Sequence, residues 1–230
     1  MISAGIHLML WRVIHAVIFD LDGTLVHSLP GIAGSLNRVL EKSGMPTHSE
    51  AAVRGFIGNG MRVLLDRAMS TQVTEKELDG MVKQLKDDYA RTWLQGTAPY
   101  PGVTEVLATL RDQGIGTAVF SNKPHIFCQE ITDTLFPDIT FSKVLGQRDG
   151  IAAKPDPTGA FDIANELKIP PAEIAFLGDS TIDLVTAKNA GMIPVAATWG
   201  YHDRPGLAAE SPAYSIDDIS ELLSIFTTPS

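Results

Sequence analysis

Residues 16–25 read AVIFDLDGTL, a short apolar run followed at once by two acidic residues and a glycine. The apolar run at 16–19 is β-prone and continuous, which predicts a buried strand, and Gly23 supplies a turn after it. Asp20 and Asp22 stand two positions apart on extended backbone, so both carboxylates can face the same side. The sequence therefore predicts a pair of acids at the carboxyl end of a buried strand.

The hydrophobic pattern after residue 101 alternates between strand and helix up to the C-terminal region. Continuous apolar strands separated by helices are typical of a parallel sheet, because helices then cover both of its faces. We therefore predict an α/β fold with a doubly wound parallel sheet. The predicted strands lie at 16–19, 115–120, 139–144, 174–177 and 193–197, the last of them being the final strand, and a short helix is predicted near 217–225.

A block with helical spacing of apolar residues, 28–96, follows the first predicted strand and shows no convincing strand of its own. Thr74 and Glu77 fit a capping box at the start of one of its helices. We expect this inserted block to form a small all-helical domain, set into a core domain made of residues 1–27 and 97–230.

Composition and charge exclude several classes of protein. Hydrophobic side chains make up 44% of the 230 residues and charged ones 20%, as in a soluble globular protein. The 18 Lys and Arg against 27 Asp and Glu give a net charge of −9 without a basic stripe, so no nucleic-acid partner is expected. Cys128, the single cysteine, has no disulfide partner in the chain and no zinc-ligand spacing around it, which favours the cytoplasm.

The apolar stretch at 6–11 is far shorter than the ~20 residues that cross a bilayer, and it lacks the features of a secretory signal. No membrane association is therefore expected. Residues 1–11 are interpreted as a loose extension or a product of start-site choice, with Met9 as an alternative start. The sequence leaves the oligomeric state open, a homodimer included.

Polar residues collect after the carboxyl ends of the predicted strands, where open parallel sheets bind ligands. Three carboxylates crowded there, those of Asp20, Asp22 and Asp179, require a cation, and oxygen ligands without a Cys or His cluster favour Mg²⁺. Ser121 and the amides after it can bind phosphoryl oxygens, and Lys154 supplies positive charge where negative charge accumulates. The site therefore suits phosphoryl transfer from a small-molecule phosphomonoester.

Four segments of the chain resemble, in order, the four motifs of the haloacid dehalogenase superfamily: DLDGTLV at 20–26, SNK at 121–123, KPDP at 154–157 and GDSTID at 178–183. Within that superfamily the chain is most similar to phosphoglycolate phosphatases, through RGFIGNG at 54–60, NAGM at 189–192 and WGY at 199–201. The resemblance implies a Rossmann-like core and identifies the inserted block as a helical cap that closes over the site.

The resemblance also implies roles for the site residues. Asp20 would attack phosphorus to give an aspartyl phosphate, and Asp22 would protonate the leaving alkoxide and then take a proton from water. Asp20, the backbone carbonyl of Asp22 and Asp179 would hold Mg²⁺, and Lys154 would stabilise the nucleophile and the transferring group. Asp183 would orient metal-bound water or Lys154 without binding the metal itself, and Ser180 is expected beside it in the same supporting role. In isolation, Asp179 and Ser180 also fit the N-terminal cap of a helix, and both roles are left open.

The candidates for binding substrate fall into two groups. Gly23, Thr24, Ser121 and Asn122 are expected near the phosphoryl group. Arg54 and the turn at Gly58 and Asn59 are expected to grip the other end, with the guanidinium pairing a substrate carboxylate. An exposed helix arginine without such a role is the alternative for Arg54.

These inferences favour a magnesium-dependent phosphatase, with 2-phosphoglycolate as the first candidate substrate. The alternatives are a phosphosugar mutase, a phosphatase of broad specificity, or a phosphoacceptor module that takes phosphate without turnover. The last is disfavoured by Asp22 and the cap, since both speed the loss of phosphate. His27, at the hinge into the inserted block, replaces an acid that many members of the resembled family carry, and it bears on the substrate rather than on the reaction type.

Overall fold

The computed structural model describes residues 14–226, so the expectations for residues 1–11 lie outside the described residues. The strands are β1 (Ala16–Phe19), β2 (Val26–His27), β3 (Ala98–Pro99), β4 (Gly116–Pro124), β5 (Lys143–Gln147), β6 (Ile174–Gly178), β7 (Ile193–Ala197) and β8 (Tyr214–Ile216). The helices are α1 (Leu29–Lys42), α2 (Glu50–Arg54), α3 (Gly60–Ala68), α4 (Glu75–Thr92), α5 (Val103–Asp112), α6 (His125–Leu135), α7 (Thr158–Leu167), α8 (Thr181–Asn189) and α9 (Arg204–Ala209), with 3₁₀ helices at Pro171–Glu173 and Ile219–Phe226.

Six strands form one parallel sheet in the order β5-β4-β1-β6-β7-β8, which confirms the predicted α/β fold. The side chains of β1 alternate between its two faces, as extended backbone requires. Val17 and Phe19 pack in the core that includes α5 and α6, whereas Ala16 and Ile18 pack in the core that includes α7 and α8. The sheet is therefore covered by helices on both sides.

The register of the central strands aligns their carboxyl ends. Phe19 at the end of β1 lies opposite Val119 of β4 on one side and Leu177 of β6 on the other. Asp20, directly after β1, and Asp179, directly after β6, are consequently brought to the same edge of the sheet. This alignment brings segments far apart in the chain to one place.

The inserted block holds the helices α1 to α4, and α1 packs against α4. The predicted capping box is confirmed, since Thr74 Oγ1 accepts from the backbone N–H of Glu77 and the Glu77 carboxylate accepts from the backbone N–H of Thr74. At the base of the block, β2 and β3 pair antiparallel, with Val26 opposite Pro99 and His27 opposite Ala98. This two-residue ribbon has no signal in the sequence, because neither strand is long enough to show a period.

The strand predicted at 139–144 is present but begins and ends later in the chain, at 143–147. The strand begins only at residue 143, and the apolar residues Ile139 and Phe141 belong to the connection before it. Phe141 lies edge-on to Phe136, with 6.1 Å between ring centroids, so these side chains pack on the core from a loop. An apolar run of this length fits either a strand or a packed connection, and the pattern alone does not separate them.

The C-terminal predictions also need correction. β7 is not the final strand, because β8 extends the sheet beside it. Tyr214 and Ser215 of β8 are exposed and only Ile216 is buried, so the apolar signal of a buried strand is missing. The helix predicted near 217–225 is a 3₁₀ helix that packs on α5, and helix α9 was not predicted. None of the helices in the described part of the chain combines the length and the apolar character that crossing a membrane demands.

Candidate active site

Three carboxylates meet at the carboxyl edge of the sheet. Oxygen atoms of Asp20, Asp179 and Asp183 all lie within 4.8 Å of one another, and all three residues are buried. Asp20 follows β1, Asp179 follows β6, and Asp183 lies in the first turn of α8. We call these three residues the acidic cluster.

Lys154 joins two members of the acidic cluster. Its Nζ donates to Oδ1 of Asp20 over 2.8 Å and to Oδ1 of Asp183 over 2.6 Å. The lysine is itself buried, and burial lowers its pKa, but the carboxylates of Asp183 and Asp20 outweigh that effect and leave the pKa above its ordinary value. Lys154 therefore stays charged and neutralises part of the cluster.

Burial controls the protonation of the cluster. It raises the pKa of Asp20 from 3.8 to about 6, while the charge of Lys154 opposes the rise and the charge of Asp183 adds to it. Burial also raises the pKa of Asp179, and the neighbouring Asp20 and Asp183 add to that shift. The negative charges of buried, adjacent carboxylates repel one another, and Lys154 alone does not balance them. A bound cation would reduce this repulsion.

The ligand chemistry of the cluster fits a hard divalent cation. Its donors are carboxylate oxygens, which suit Mg²⁺, and the soft ligand Cys128 is buried elsewhere on α6. The carboxylate of Asp22 is not a member, so the sequence-based grouping of Asp20, Asp22 and Asp179 side chains needs correction, with Asp183 taking the third place. The resemblance implied a metal contact through the backbone carbonyl of Asp22 rather than its carboxylate, and that contact stays a prediction.

The Asp22 carboxylate is held by two other residues. Ser28 Oγ donates to its Oδ1 over 2.5 Å, and Lys123 Nζ lies 3.0 Å from both of its oxygens. Lys123 Nζ also donates to the hydroxyl of Tyr89 over 2.8 Å, and Tyr89 belongs to α4 of the inserted block. An ion pair thus fixes Asp22 at the point where the inserted block meets the sheet.

Asp179 is fixed by contacts that the sequence did not indicate. Thr24 Oγ1 donates to its Oδ1 over 3.0 Å, and the backbone N–H of Tyr201 donates to its Oδ2 over 2.6 Å. Gly23, with a φ of +87°, and Gly200 both approach the Asp179 side chain so closely that a Cβ atom would collide with it. Gly23 and Thr24 therefore contact the acidic cluster, and their expected role near the phosphoryl group stays a prediction.

Ser121 and Asn122 have different surroundings. Ser121 is buried and lines the cavity above the acidic cluster, and its expected contact with phosphoryl oxygens stays a prediction. Asn122 also lines the cavity, but its Oδ1 accepts from the backbone N–H of Lys154, and its Nδ2 donates to the carbonyls of Lys154 and Gly58. The side chain of Asn122 thus ties the Lys154 loop to the inserted block rather than offering its amide to a ligand.

Arg54 occupies a place that differs from the expectation of a carboxylate clamp. Its Nε donates to the carbonyl of Tyr201 and its Nη2 to the carbonyl of Gly200, both over 2.6 Å. The arginine does not line the cavity that the acidic cluster opens into. The guanidinium therefore fastens α2 to the loop after β7, and a role in binding substrate stays a prediction.

The cavity runs from the acidic cluster to the inserted block. Gly58 lines it, whereas the side chain of Asn59 accepts from Arg67 Nη2 over 2.8 Å and is not part of the lining. The expected grip of this turn on the substrate stays a prediction. The wall from the inserted block is mostly apolar. Its side chains are those of Ile32, Ile57, Met61, Leu64, Leu85 and Tyr89.

Ser180 and Asp183 combine a structural and a site contact. Ser180 Oγ accepts from the N–H of Asp183, and Oδ2 of Asp183 accepts from the N–H and the hydroxyl of Ser180, which forms a capping box at the start of α8. Oδ1 of Asp183 is thereby directed at Lys154. Of Asp179 and Ser180, for which the sequence offered a helix cap as the alternative role, Ser180 caps α8, and its partner Asp183 belongs to the acidic cluster.

Sequence reasoning missed several residues that shape the site. Lys123 stood inside the SNK segment without a role, and Tyr201 stood in the WGY segment that was not counted among the site candidates. Tyr201 accepts from the N–H of Ser28 through its hydroxyl over 2.9 Å, and so connects the loop after β7 with the hinge. Tyr89 gave no separate signal, because an aromatic residue on the buried face of an amphipathic helix is usually a core residue. His27 is exposed and stacks on Tyr100, with 5.7 Å between ring centroids.

Comparison with known protein families identifies relatives of this chain. The family described as haloacid dehalogenase-like hydrolase matches residues 17–197. Two curated proteins, both named phosphoglycolate phosphatase, are 36% identical to it. The protein from Mannheimia succiniciproducens aligns over 214 residues, 90% of this chain and 96% of its own, and the one from Pseudomonas putida aligns over 213 residues, 90% of this chain and 78% of its own.

A solved structure is similar over nearly the whole chain. It is described as a predicted phosphoglycolate phosphatase from Haemophilus somnus 129pt, with a TM-score of 0.87 and 34% identity. The alignment covers 93% of this chain and 98% of that one. The likeness thus includes both the parallel sheet and the helices inserted between β2 and β3.

Proposed function

The chain belongs to the haloacid dehalogenase-like hydrolase family, and from this membership we propose that it is a magnesium-dependent phosphatase of a small phosphomonoester. The first candidate substrate is 2-phosphoglycolate, which the protein would convert into glycolate and inorganic phosphate. The names of its curated relatives support this choice. The meeting of Asp20, Asp179, Asp183 and Lys154 in one buried group is the observation that carries the proposal.

Mg²⁺ would be held by the carboxylates of Asp20 and Asp179 and by the backbone carbonyl of Asp22. When bound, the ion supplies positive charge beside the transferring phosphoryl group. Asp183 would not bind the ion directly, because its two oxygens are already engaged by Lys154 and Ser180; it would instead hold Lys154 in position beside the ligands.

In the first half of the reaction, a carboxylate oxygen of Asp20 forms a bond to phosphorus while the ester P–O bond breaks. Asp22 gives its proton to the leaving alkoxide. The ammonium of Lys154, 2.8 Å from Asp20, compensates the negative charge of the attacking carboxylate and of the transferring group.

In the second half, a water oxygen attacks the phosphorus of the aspartyl phosphate and the bond to Asp20 breaks. Asp22 takes the proton of that water, which returns Asp20 and Asp22 to their starting states. The contacts of Asp22 with Ser28 and Lys123 hold its carboxylate in place through both halves.

We further propose that residues 28–96 act as a cap domain on a core of 1–27 and 97–230. The apolar side chains that the inserted block contributes to the cavity would exclude bulk water from the phosphoenzyme. The buried thiol of Cys128 is compatible with the cytoplasmic location that the sequence predicts.

The test is phosphate release from 2-phosphoglycolate by the wild type, Asp20→Asn and Asp22→Asn, with Mg²⁺ and with EDTA. Asp133→Asn, an exposed acid on α6, is the matched control. We expect activity in the wild type and the control, and its loss in both site variants and in chelator. A wild type that releases no phosphate from any small phosphomonoester with Mg²⁺ present would refute the proposal.

The same assay separates the alternatives. Isomerised product with retained phosphate would identify a phosphosugar mutase, and turnover of many esters at similar kcat/KM a broad phosphatase. Release of a single equivalent of phosphate per chain would identify a phosphoacceptor module.

A further inference from the structure

We propose that Lys123, assisted by the hydroxyl of Tyr89, binds the carboxylate of the substrate and so determines the preference for a carboxylated phosphomonoester. The proposal rests on the proposed function, since it concerns the end of the same substrate that does not react. The sequence suggested Arg54 for this role, whereas the proposal assigns it to Lys123, for which no role was expected.

The charges of the cavity leave few candidates for this contact. Among the described residues that line the cavity, the lysines are Lys123 and Lys154, and arginine is absent from the lining. Lys154 is engaged by Asp20 and Asp183 at the phosphoryl end. Lys154 is thus shared between two carboxylates, whereas Lys123 pairs with a single one, that of Asp22, and has more positive charge to offer a second anionic group.

The other basic residues near the cavity are poorly suited to the task. Arg54 donates through Nε and Nη2 to two backbone carbonyls and lies outside the lining. His202 does line the cavity, but burial lowers its pKa, so its imidazole is neutral near pH 7. Neither group presents a fixed positive charge to a ligand there.

Lys123 is placed as a recognition group. It is only 6% exposed, and its Nζ lies 3.0 Å from both Asp22 oxygens and 2.8 Å from the Tyr89 hydroxyl. Asp22 is the residue proposed to deliver a proton to the leaving oxygen, so Lys123 sits beside the ester bond. In 2-phosphoglycolate one methylene separates the ester oxygen from the carboxylate, which matches a cation next to the acid rather than one farther out.

The apolar wall strengthens this recognition. Ile57, Met61 and Leu64 cover the cavity from the inserted block and offer no hydrogen bonds through their side chains. An anionic group entering among them loses water and needs a buried counter-charge, because a charge in a dry site is costly when unpaired. Because the apolar wall lowers the local dielectric constant, the attraction between Lys123 and an anionic group is stronger there than in water.

Tyr89 links the contact to the inserted block. It belongs to α4, its hydroxyl accepts from Lys123 Nζ, and the ammonium also lies 4.5 Å from the centre of its ring. The Tyr89 hydroxyl also forms a hydrogen bond with the side chain of Thr97, and a substrate carboxylate on Lys123 would compete with Thr97 for the hydroxyl hydrogen. Selection of the substrate would thus involve one residue of the sheet and one of the inserted block.

A binding experiment tests the assignment without requiring turnover. Calorimetry with Mg²⁺ present compares 3-phosphonopropionate, a non-hydrolysable analogue of 2-phosphoglycolate, with propylphosphonate, which has a methyl group in place of the carboxylate. The variants are Lys123→Met, Lys123→Gln and Tyr89→Phe. The control is Lys143→Met, which breaks a half-exposed ion pair between Lys143 of β5 and Asp162 of α7.

We expect the wild type and Lys143→Met to bind 3-phosphonopropionate at least tenfold more tightly than propylphosphonate. Both Lys123 variants should lose that preference, and Tyr89→Phe should reduce it about threefold while keeping the ring. Propylphosphonate binding reports whether a variant keeps an intact phosphoryl site, so a folding defect is recognised by the loss of both ligands. If the Lys123 variants fail to fold, Tyr89→Phe, which removes one hydroxyl, becomes the deciding variant. An unchanged preference of Tyr89→Phe for 3-phosphonopropionate over propylphosphonate then overturns the proposal.

Two other outcomes overturn it. One is a preference that survives in a folded Lys123 variant, which would leave Lys123 as a residue that only positions Asp22. The other is a wild type that lacks the preference altogether. Either result is compatible with a working phosphatase, whereas absence of phosphate release from every phosphomonoester would refute the proposed function itself.

Discussion

Nε of Arg54 donates a hydrogen bond of 2.6 Å to the backbone carbonyl of Tyr201, and this bond fastens helix α2 to the loop that follows β7. The backbone N–H of the same Tyr201 donates to Asp179 in the acidic cluster. The inserted block is thereby connected through one loop to a proposed metal ligand, although Arg54 itself does not line the cavity.

Arg54→Met is expected to lower kcat/KM by roughly tenfold for phosphomonoesters with and without a carboxylate alike, because it removes two hydrogen bonds from a charged donor. The measurement is kcat/KM for 2-phosphoglycolate and for ethyl phosphate. A loss confined to 2-phosphoglycolate would return Arg54 to the role of a substrate clamp.

Thr24→Val is expected to weaken metal binding by about 10- to 100-fold, because partners that orient a ligand contribute on that scale. Titration of the metal-free protein with Mn²⁺, followed by electron paramagnetic resonance, measures this directly. Thr109→Val is a suitable control, since its hydroxyl bonds to a carbonyl within its own exposed helix turn. Equal affinity in the two variants would show that Thr24 does not orient Asp179.

Gly200→Ala is expected to destabilise the protein by about 1 to 3 kcal/mol, because the added methyl group would collide with the Asp179 side chain. Gly80→Ala, on an exposed face of α4 with open space around it, should instead stabilise by about 0.5 to 1 kcal/mol. Urea unfolding of both variants checks the contrast, which fails if the two shift stability in the same direction.

Lys154→Met is expected to lower the free energy of unfolding by about 3 to 5 kcal/mol, since it leaves Asp20 and Asp183 buried without their counter-charge. Lys143→Met removes a half-exposed pair with Asp162 and should cost less than about 1 kcal/mol. Denaturant unfolding in EDTA measures both. Similar small losses would mean that the acidic cluster does not depend on Lys154 for its charge balance.

The stabilisation by Mg²⁺ should depend on pH. The pKa of Asp20 is about 6 in the folded protein and 3.8 ordinarily, so between these values the folded state keeps a proton that the unfolded chain has released. The contribution of Asp20 to stability therefore falls as the pH rises from about 4 to 6. Mg²⁺ competes with that proton, and it should raise Tm strongly at pH 7.5 and weakly at pH 5.

The comparison is made on Tm with Mg²⁺ against Tm with EDTA at the two pH values. Asp20→Asn cannot titrate at this position and should show little Mg²⁺ effect at either pH. An equal rise in Tm at pH 5 and pH 7.5 in the wild type would contradict the competition between proton and cation.

The parallel sheet was predictable because its central strands are continuous apolar runs ending in polar residues, as at Phe19 and Asp20. The same logic failed for β8, whose first two residues are exposed, and for 139–144, where Phe141 packs from a loop. Hydrophobic pattern reports burial, and burial coincides with a strand only where the backbone is also paired.

The candidate site was predictable as a set of strand ends but not as a set of contacts. The motifs predicted that Asp20, Asp179 and Lys154 lie close together, because each follows a strand or lies in a loop at the carboxyl edge of the sheet. The pairing of Asp22 with Lys123, and of Thr24 with Asp179, depends on side-chain directions that spacing does not encode. Long-range contacts such as Arg54 to Tyr201 join positions 147 residues apart and have no local signature.

The ribbon of Val26–His27 against Ala98–Pro99 brings the two ends of a seventy-residue excursion side by side at the margin of the sheet. An insertion whose two ends lie side by side does not change the distance between the strands before and after it, whatever its length. Such an insertion can be lengthened or replaced during evolution while the residues at the edge of the sheet stay the same. Selection can therefore change which substrates enter the cavity without changing the reaction.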